Sequence, residues 1–244
     1  MGLGVILLAM LLIMIFYKGM PASKDTGTLS FGKTVKILAR KKHYSFGVIA
    51  QFFYVGAQIG VWSYTIRYVM TALNLVDPVT DEIVPANVNA FIADNAFWSG
   101  LWQLDSSSTA ENIGNSFYLT SLILFTLSRF IFTALMKFFR PGMLLAIAAT
   151  GAIIASLVAI FSTGMTGVTG LVMISFFMSL MFPTIYGIAL EGISESEAKV
   201  GGSFLVMAIL GGALLTTLQG YVSTATNSAY ASYWVPVVCF VIVA

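Results

Sequence analysis

Two glutamines and two aromatic residues share one face of an apolar stretch that covers residues 44–70. Gln51, Tyr54, Gln58 and Trp62 are separated by three, four and four residues, which places their side chains on one side of an α-helix. Their amide, phenol and indole groups can form hydrogen bonds, and their rings offer flat apolar surfaces. Such a set suits a neutral ligand that is rich in hydroxyl groups.

The two glutamines lie deep in a stretch that is long and apolar enough to cross a bilayer. At a rise of about 1.5 Å per residue, Gln51 lies roughly 10 Å and Gln58 roughly 21 Å beyond Tyr44, on either side of the midplane of a bilayer core about 30 Å thick. The polar side chains therefore either hydrogen-bond between neighbouring helices or line a wet cavity that binds a ligand. The size of this face favours the cavity.

The composition of the 244 residues is that of a membrane protein. Hydrophobic residues make up 58% of the chain, charged residues 9%, and the mean hydropathy is +0.92, whereas soluble domains carry about 25% charged residues. The repeated apolar runs predict an all-α, polytopic helical membrane bundle. Cys239 is the only cysteine, so no disulfide can form within the chain.

The residue types give no indication of an enzyme, a metal site, a cofactor or a nucleic-acid interface. The single histidine, His43, begins an apolar stretch, and no serine or threonine at depth has a histidine partner. No His, Cys and Glu residues cluster as metal ligands, and no glycine-rich loop follows a strand. We therefore predict a protein that is not an enzyme and needs no cofactor.

Apolar runs and charged loops divide the chain into segments. We predict the end of a transmembrane helix at residues 1–17, a basic linker at 18–43 and a transmembrane part at 44–244. The predicted spans of that part are 44–70, 116–136, 143–161, 168–190, 202–223 and a truncated run at 233–244, with an acidic loop at 71–115.

The loops differ in charge. Residues 18–42 contain seven basic residues and one acid, whereas residues 71–115 contain six acids and no lysine or arginine. The positive-inside rule therefore places the first loop in the cytoplasm and the second outside. Within the basic loop, apolar residues and lysines over 31–38 predict an amphipathic helix at the membrane surface. The aromatic segment 91–102 is expected either to lie along the outer interface or to form a solvated helix.

Four further residues are candidates for gating or for structural roles. Arg129 lies about 10 Å inside its predicted span, where it either bonds backbone or hydroxyl groups near an inner gate or contacts a ligand. Pro183 removes a backbone N–H and predicts a kink. Gly211 and Gly212 either let two helices approach closely or provide a bend for gating.

Three motifs carry a resemblance to a known family. They are YVGAQ at 54–58 followed by W-S-Y-x-I-R-Y at 62–68, FMSLMFPTIYG at 177–187, and GGSFLVMAILGG at 201–212. Over about residues 45–240 the chain resembles the L-fucose–proton symporter group of the major facilitator superfamily. The resemblance implies the C-terminal six-helix half of a twelve-helix transporter, plus the end of the sixth helix, with the basic segment as the linker between the halves.

The resemblance also implies a function, which is proton-coupled uptake of a neutral monosaccharide by alternating access. It implies a multi-pass protein of the bacterial inner (plasma) membrane, whose partners are a small sugar, protons, the lipid bilayer and the missing N-terminal half. The residues expected to bind the sugar are Gln51, Tyr54, Gln58, Trp62 and Tyr186. Phe182 stands where the family pattern has a tyrosine, which leaves the sugar open between fucose, galactose and glucose types. The alternative is a channel or a non-transporting membrane sensor on a similar bundle.

The positions of the acidic residues limit what the chain can do alone. All ten acids fall in loops or at the ends of spans, whereas proton coupling needs an ionisable group at membrane depth. By the resemblance, the coupling carboxylates belong to the missing half. We therefore predict that the chain by itself neither accumulates sugar nor moves protons with it.

Overall fold

The computed structural model describes residues 31–77, 80 and 82–244. The predicted helix end at 1–17 and the first part of the predicted linker lie outside these residues. The described residues from 31 onwards form one compact unit. Their only extended pairing is an isolated bridge between Val76 and Ile83, so the predicted all-α bundle is confirmed.

A short amphipathic helix, α1 (Phe31–Arg40), opens the described chain. Thr34 and Leu38 are buried on one side of it, whereas Lys36 and Arg40 are exposed on the other. The 3.6-residue period thus separates buried from basic side chains and gives α1 a side that packs on the bundle.

Helix α2 (Lys42–Ala72) contains the face of glutamines and aromatic residues. Its 31 residues correspond to about 46 Å of helix, more than a bilayer core of about 30 Å requires. Tyr54, Val61 and Tyr68 are completely buried. Burial of large side chains at three levels shows that α2 runs through the interior of the bundle.

The acidic loop folds into two short helices, α3 (Pro85–Asp94) and α4 (Ala96–Trp102). The Trp98 ring stacks on Phe117 with 4.3 Å between ring centroids, and its indole N–H donates to Ser116 Oγ at 2.8 Å. The aromatic segment is therefore helical, and Trp98 packs against the next long helix. Since Phe97 is 83% exposed, only one side of the segment is covered.

The remaining helices follow one another along the chain. They are α5 (Ala110–Leu135), α6 (Pro141–Phe161), α7 (Gly164–Met178), α8 (Met181–Leu190), α9 (Glu195–Met207) and α10 (Leu210–Thr226), followed by the short α11 (Ala229–Ser232) and by α12 (Trp234–Val243). With α7–α8 and α9–α10 each taken as one span, five helices of the described part are long and apolar enough to cross a membrane.

Two predicted spans, 168–190 and 202–223, are each divided into two helices in the structure. The interruptions lie at residues 179–180 and at 208–209. The second span also begins earlier than expected, at Glu195, so that Glu195 and Glu197 occupy the first turn of α9. The helix dipole favours acidic side chains at this position.

Helix α2 packs against α5, α7, α8, α10 and α12. Glycines permit the closest of these approaches, because a Cβ atom at Gly211 would collide with the backbone carbonyl oxygen of Phe52, and one at Gly212 with the Ile59 side chain. Close helix packing at small residues is typical of membrane bundles. In this structure the glycine pair therefore serves the packing of α10 on α2.

Candidate functional site

The four residues of the predicted face share one side of α2, and the two aromatic side chains among them contact α5, α7 and α8. Gln51 and Tyr54 are completely buried, whereas Gln58 and Trp62 are half-buried. Most of this face therefore lies inside the bundle rather than on its open surface. The structure brings the four residues together and also shows what their polar atoms contact.

The Tyr54 hydroxyl is engaged within the bundle. It donates a hydrogen bond to the backbone carbonyl oxygen of Met178 at 2.9 Å, at the C-terminal end of α7. Its ring meets Phe182 edge to face, with 6.3 Å between ring centroids. Phe182, the departure from the family pattern, thus packs against the aromatic ring of the candidate face.

Trp62 is held in a similar way. Its indole N–H donates to Ser175 Oγ at 3.2 Å, and its ring lies edge to face with Phe125 at 5.1 Å. The phenol of Tyr54 and the indole of Trp62 therefore both bind α7. They fix the orientation of the face and leave its amides as the groups open to a ligand.

The two glutamine amides lack partners of this kind. Neither Nε2 nor Oε1 of Gln51 has a hydrogen-bond partner among the described residues, although both atoms are buried. A buried polar group without a partner costs about 1–3 kcal/mol, so the position is one that a ligand or a water molecule can satisfy. The half-buried Gln58 amide also makes no hydrogen bond to another described residue.

The interruption between α7 and α8 lies beside this face. Pro183 has no N–H, so the carbonyl oxygen of Ser179, four residues earlier, has no helical donor. The Arg129 Nε–H donates to that oxygen at 3.3 Å, and the guanidinium carbon lies 5.3 Å from the centre of the Phe125 ring. Arg129 thus stabilises the backbone at the interruption, which is the structural alternative considered for it.

Tyr186 lies apart from the glutamine face. It is half-buried against a cluster that contains Leu38, Tyr44 and Leu205. This cluster joins α1 to the beginning of α2, the end of α8 and α9. The structure therefore groups Gln51, Tyr54, Gln58 and Trp62, and it does not bring Tyr186 to them.

Two polar residues of α10 are missing from the candidates that the sequence suggested. Gln219 is completely buried, and neither its amide atoms nor Thr216 Oγ1 have a hydrogen-bond partner among the described residues. Both side chains lie beside Gly60 of α2, where a Cβ atom would collide with Gln219 Oε1. The signal available in the sequence was an amide in an apolar span, but only the packing on Gly60 shows that it is buried.

Comparison with known proteins supports the family resemblance. The chain is 35% identical over 250 residues to the L-fucose-proton symporter of Haemophilus influenzae, covering 100% of this chain and 50% of that protein. It is 30% identical over 242 residues to the Escherichia coli L-fucose-proton symporter, covering 98% and 47%. A glucose/galactose transporter of Brucella abortus is 28% identical over 203 residues, covering 83% and 41%.

Comparison with solved structures finds the same group of proteins. The crystal structure of the E. coli fucose:proton symporter FucP superposes with a TM-score of 0.75 at 29% identity, covering 98% of this chain and 51% of that one. A structure of FucP in the outward conformation gives a TM-score of 0.74. No protein-family model matches the sequence. The chain spans about half the length of the curated relatives it matches.

These findings define the class of protein: the chain has the fold of one half of a major facilitator superfamily transporter. Within that class, the proteins it resembles are the L-fucose–proton symporters and the glucose/galactose transporters.

Proposed function

We propose that the chain is the C-terminal half of a secondary transporter that takes up a neutral monosaccharide together with protons. The observation that carries this proposal is the match of nearly the whole chain, in sequence and in fold, to L-fucose–proton symporters. The N-terminal half of such a transporter would supply the remaining helices. The two halves would rock against each other around a sugar bound between them, in the bacterial inner membrane.

The sugar would be recognised by the amides of α2. Gln51 and Gln58 can each donate and accept a hydrogen bond, which matches the paired donor and acceptor character of a sugar hydroxyl. Tyr54 and Trp62 would position α7 next to the bound sugar and offer it apolar ring surfaces. Because Gln51 is completely buried, access to it requires a neighbouring helix to move away from α2, and the interruption at residues 179–180 is a suitable place for such a movement.

The proton would be carried by the other half. Among the described residues, the carboxylates closest to a span lie at helix ends, as Glu111 and Glu195 do in the first turns of α5 and α9. Protons that cross a membrane through a transporter need ionisable groups at depth. This arrangement supports a division in which α2 contributes to sugar binding while the N-terminal half binds the proton.

Reconstitution into proteoliposomes tests the proposal. The complete two-half transporter should accumulate fucose, galactose or glucose when a pH gradient is imposed, and a protonophore should abolish the accumulation. Vesicles that contain only residues 1–244 should neither accumulate sugar nor show a sugar-dependent pH change. Sugar flux without dependence on the gradient would instead support a channel, and a sugar-dependent pH change with the chain alone would contradict the assignment of the proton to the other half.

Gln58→Ala tests the role of the amide face. In the complete transporter it should weaken sugar binding by about 1–3 kcal/mol, because a buried hydroxyl of the sugar loses its partner. Thr217→Ala is a suitable control, since the Thr217 hydroxyl is exposed and donates to Ala213 on its own helix. Unchanged binding together with lower thermal stability would show that Gln58 only joins helices.

Cysteine labelling tests the orientation. We propose that α1 lies in the cytoplasm and that α3 and α4 lie outside, following the basic and acidic character of the two loops. Lys36 and Asp94 are both exposed, and the native Cys239 is buried and contributes little background. An impermeant thiol reagent should label Asp94→Cys but not Lys36→Cys in intact cells, and the reverse pattern would invert the topology.

A further inference from the structure

A pocket of about 560 Å³ lies between the second half of α2, the first turns of α5 and the bridge that joins Val76 to Ile83. Its walls are held in place. A Cβ atom at Gly114 of α5 would collide with Ile66 of α2, so the two helices touch beside the pocket. Backbone hydrogen bonds of 2.8 and 2.9 Å on either side of the bridge hold the loop. This α2–α5 pocket is therefore formed without a ligand, and its volume is in the range of small-molecule sites.

Polar side chains line the α2–α5 pocket from both helices. Ser63 and Arg67 of α2 are four residues apart, and so are Glu111 and Asn115 of α5. Each pair therefore lies on one side of its own helix. The side chain of Met70, which also lines the pocket, adds apolar surface. A few convergent polar groups beside apolar surface are typical of a binding site for a small molecule.

Three of these polar side chains have no hydrogen-bond or ion-pair partner among the described residues, namely Ser63, Glu111 and Asn115. Other hydroxyl groups of α2 are engaged, because Thr65 and Thr71 donate to backbone carbonyl oxygens one turn earlier, at 2.8 and 3.0 Å. The three side chains of the pocket are exposed. They therefore offer donors and acceptors to a ligand that arrives from solvent, without movement of a helix.

These groups match a neutral ligand with several hydroxyl groups. A carboxylate accepts hydrogen bonds, whereas an amide and a hydroxyl both donate and accept them. Neighbouring hydroxyls of a sugar would therefore find both kinds of partner in the pocket, and Ile66 and Met70 would cover its C–H bonds. Because Arg67 and Glu111 carry opposite charges, the pocket has no strong preference for an anion or a cation.

The α2–α5 pocket is separate from the glutamine face. Ser63 lies five residues beyond Gln58, which corresponds to about 7.5 Å along the helix and roughly 140° around it. Gln51 is completely buried, whereas Ser63 is exposed. In the orientation proposed for the chain the acidic loop lies outside, so a solute from outside reaches the pocket before it reaches the glutamine face.

We propose that the α2–α5 pocket is an outer binding site for the transported sugar, which Ser63, Glu111 and Asn115 hold before it enters the bundle. The identity of the ligand rests on the proposed function. Because bound sugar stays near the entrance, the site increases the rate of capture at low sugar concentration and leaves the maximal rate of transport unchanged.

Protection from cysteine labelling tests the site in the complete transporter in detergent. Ile83 is 44% exposed at the pocket, and Ile83→Cys should react with a maleimide. At ten times the dissociation constant, L-fucose, D-galactose or D-glucose should slow this reaction by about tenfold, because only the free pocket reacts. The control is Asp94→Cys, which is exposed on α3 outside the pocket and should not be protected. The native Cys239 is buried and adds little background.

Two further substitutions in the Ile83→Cys transporter separate the outer site from the glutamine face. Glu111→Gln should raise the sugar concentration needed for half-protection by at least about fivefold, since hydrogen bonds to a charged group are lost. Gln58→Ala should change that concentration by less than about twofold, because it removes no group of the pocket. Protection that Gln58→Ala weakens and Glu111→Gln does not would overturn the proposal, since closure of the bundle around an inner sugar would then shield the cysteine.

Uptake by the complete transporter gives a second measurement. Glu111→Gln should lower the rate at sugar concentrations well below KM by about fivefold and leave the maximal rate unchanged. Asp94→Asn removes an exposed acid outside the pocket and should leave both rates unchanged. Equal slowing by the two variants would overturn the proposal, because the effect would then come from surface charge alone.

The labelling result does not depend on proton coupling, because it needs no pH gradient. Protection without gradient-driven accumulation would contradict the proposed uptake and leave the outer site in place. Accumulation without protection by any of the three sugars would overturn the outer site and leave the uptake in place. Protection by glycine in place of the sugars would also overturn the outer sugar site, since the opposite charges of Arg67 and Glu111 would then bind a zwitterion.

Discussion

The two divided spans of the bundle are interrupted in different ways. Between α7 and α8, Pro183 deprives the Ser179 carbonyl oxygen of a helical donor. Side chains of two other helices compensate, because Arg129 of α5 bonds the Ser179 oxygen and Tyr54 of α2 bonds the Met178 oxygen. This interruption therefore depends on tertiary contacts.

Between α9 and α10 the backbone compensates for itself. The N–H of Ile209 donates to Val206 at 3.0 Å, that of Gly211 to Ala208 at 3.0 Å and that of Gly212 to Ile209 at 2.8 Å. These are bonds over three residues, the tighter pattern of a 3₁₀ turn. Helix α10 also packs closely against α2. This close approach is possible because Gly211 and Gly212 have no side chains.

The difference indicates where the bundle can change shape. A turn stabilised by its own backbone moves as a unit, whereas an interruption stabilised by Arg129 and Tyr54 can open when those two contacts are exchanged for others. Tyr54 belongs to the candidate sugar-binding face. A ligand on that face would therefore either compete with or reinforce the hydrogen bond from Tyr54 to the Met178 oxygen, which stabilises the α7–α8 interruption.

The largest effect is expected from Gly211→Ala. Its Cβ would meet the backbone carbonyl of Phe52, which cannot rotate away, so α10 and α2 would have to separate. Overpacking of this kind destabilises by about 3 kcal/mol at the upper end of its usual range, more than the ~1 kcal/mol that alanine gains over glycine in a helix. Equilibrium unfolding of the transporter in mixed micelles would measure the change.

Gly187→Ala is the matched control for that substitution. Gly187 is a helical glycine of α8, and a Cβ atom there meets nothing within 4 Å. The same substitution should therefore stabilise the protein by up to about 1 kcal/mol. Similar changes in the free energy of unfolding at both positions would contradict the role given to close packing at Gly211.

A smaller effect is expected from Arg129→Met, which keeps the length of the side chain but removes its donors. The Ser179 carbonyl oxygen would lose its side-chain partner, and the free energy of unfolding should fall by about 1–2 kcal/mol. Arg140→Met, at an exposed arginine in the turn before α6, should change it by no more than about 0.5 kcal/mol.

Pro183→Ala shows whether the loss of stability in Arg129→Met comes from the Ser179 carbonyl oxygen, which Pro183 leaves without a helical donor. Alanine restores an N–H four residues after Ser179, so the helix can supply the donor itself. In the Pro183→Ala background, Arg129→Met should then cost less than about 0.5 kcal/mol. If Arg129→Met costs the same in both backgrounds, Arg129 acts through a contact other than its bond to Ser179.

The smallest effect is expected from Tyr54→Phe, which removes only a hydroxyl. The Met178 oxygen would lose a buried hydrogen bond worth about 1 kcal/mol, while the ring would keep its edge-to-face contact with Phe182. Tyr221→Phe provides the comparison, since Tyr221 is 72% exposed. No difference between the two variants in thermal unfolding would mean that the bond to Met178 does not hold the interruption.

The sequence predicted much of this architecture because the membrane imposes simple rules. Apolar runs of sufficient length form helices in lipid, and the 3.6-residue period places Gln51, Tyr54, Gln58 and Trp62 on one side of α2. Pro183 likewise predicted an irregularity in its span, since a residue without an N–H must leave a carbonyl oxygen without its helical donor.

The tertiary structure alone decided what those side chains contact. Periodicity assigns a residue to a side of its own helix, but it does not say which neighbour covers that side. The pairing of Arg129 with Ser179 joins residues 50 positions apart in the sequence, and that of Tyr54 with Met178 joins residues 124 apart. The same limit applies to Gln219, whose burial follows from the absence of a side chain at Gly60 on another helix, because packing between helices depends on both partners at once.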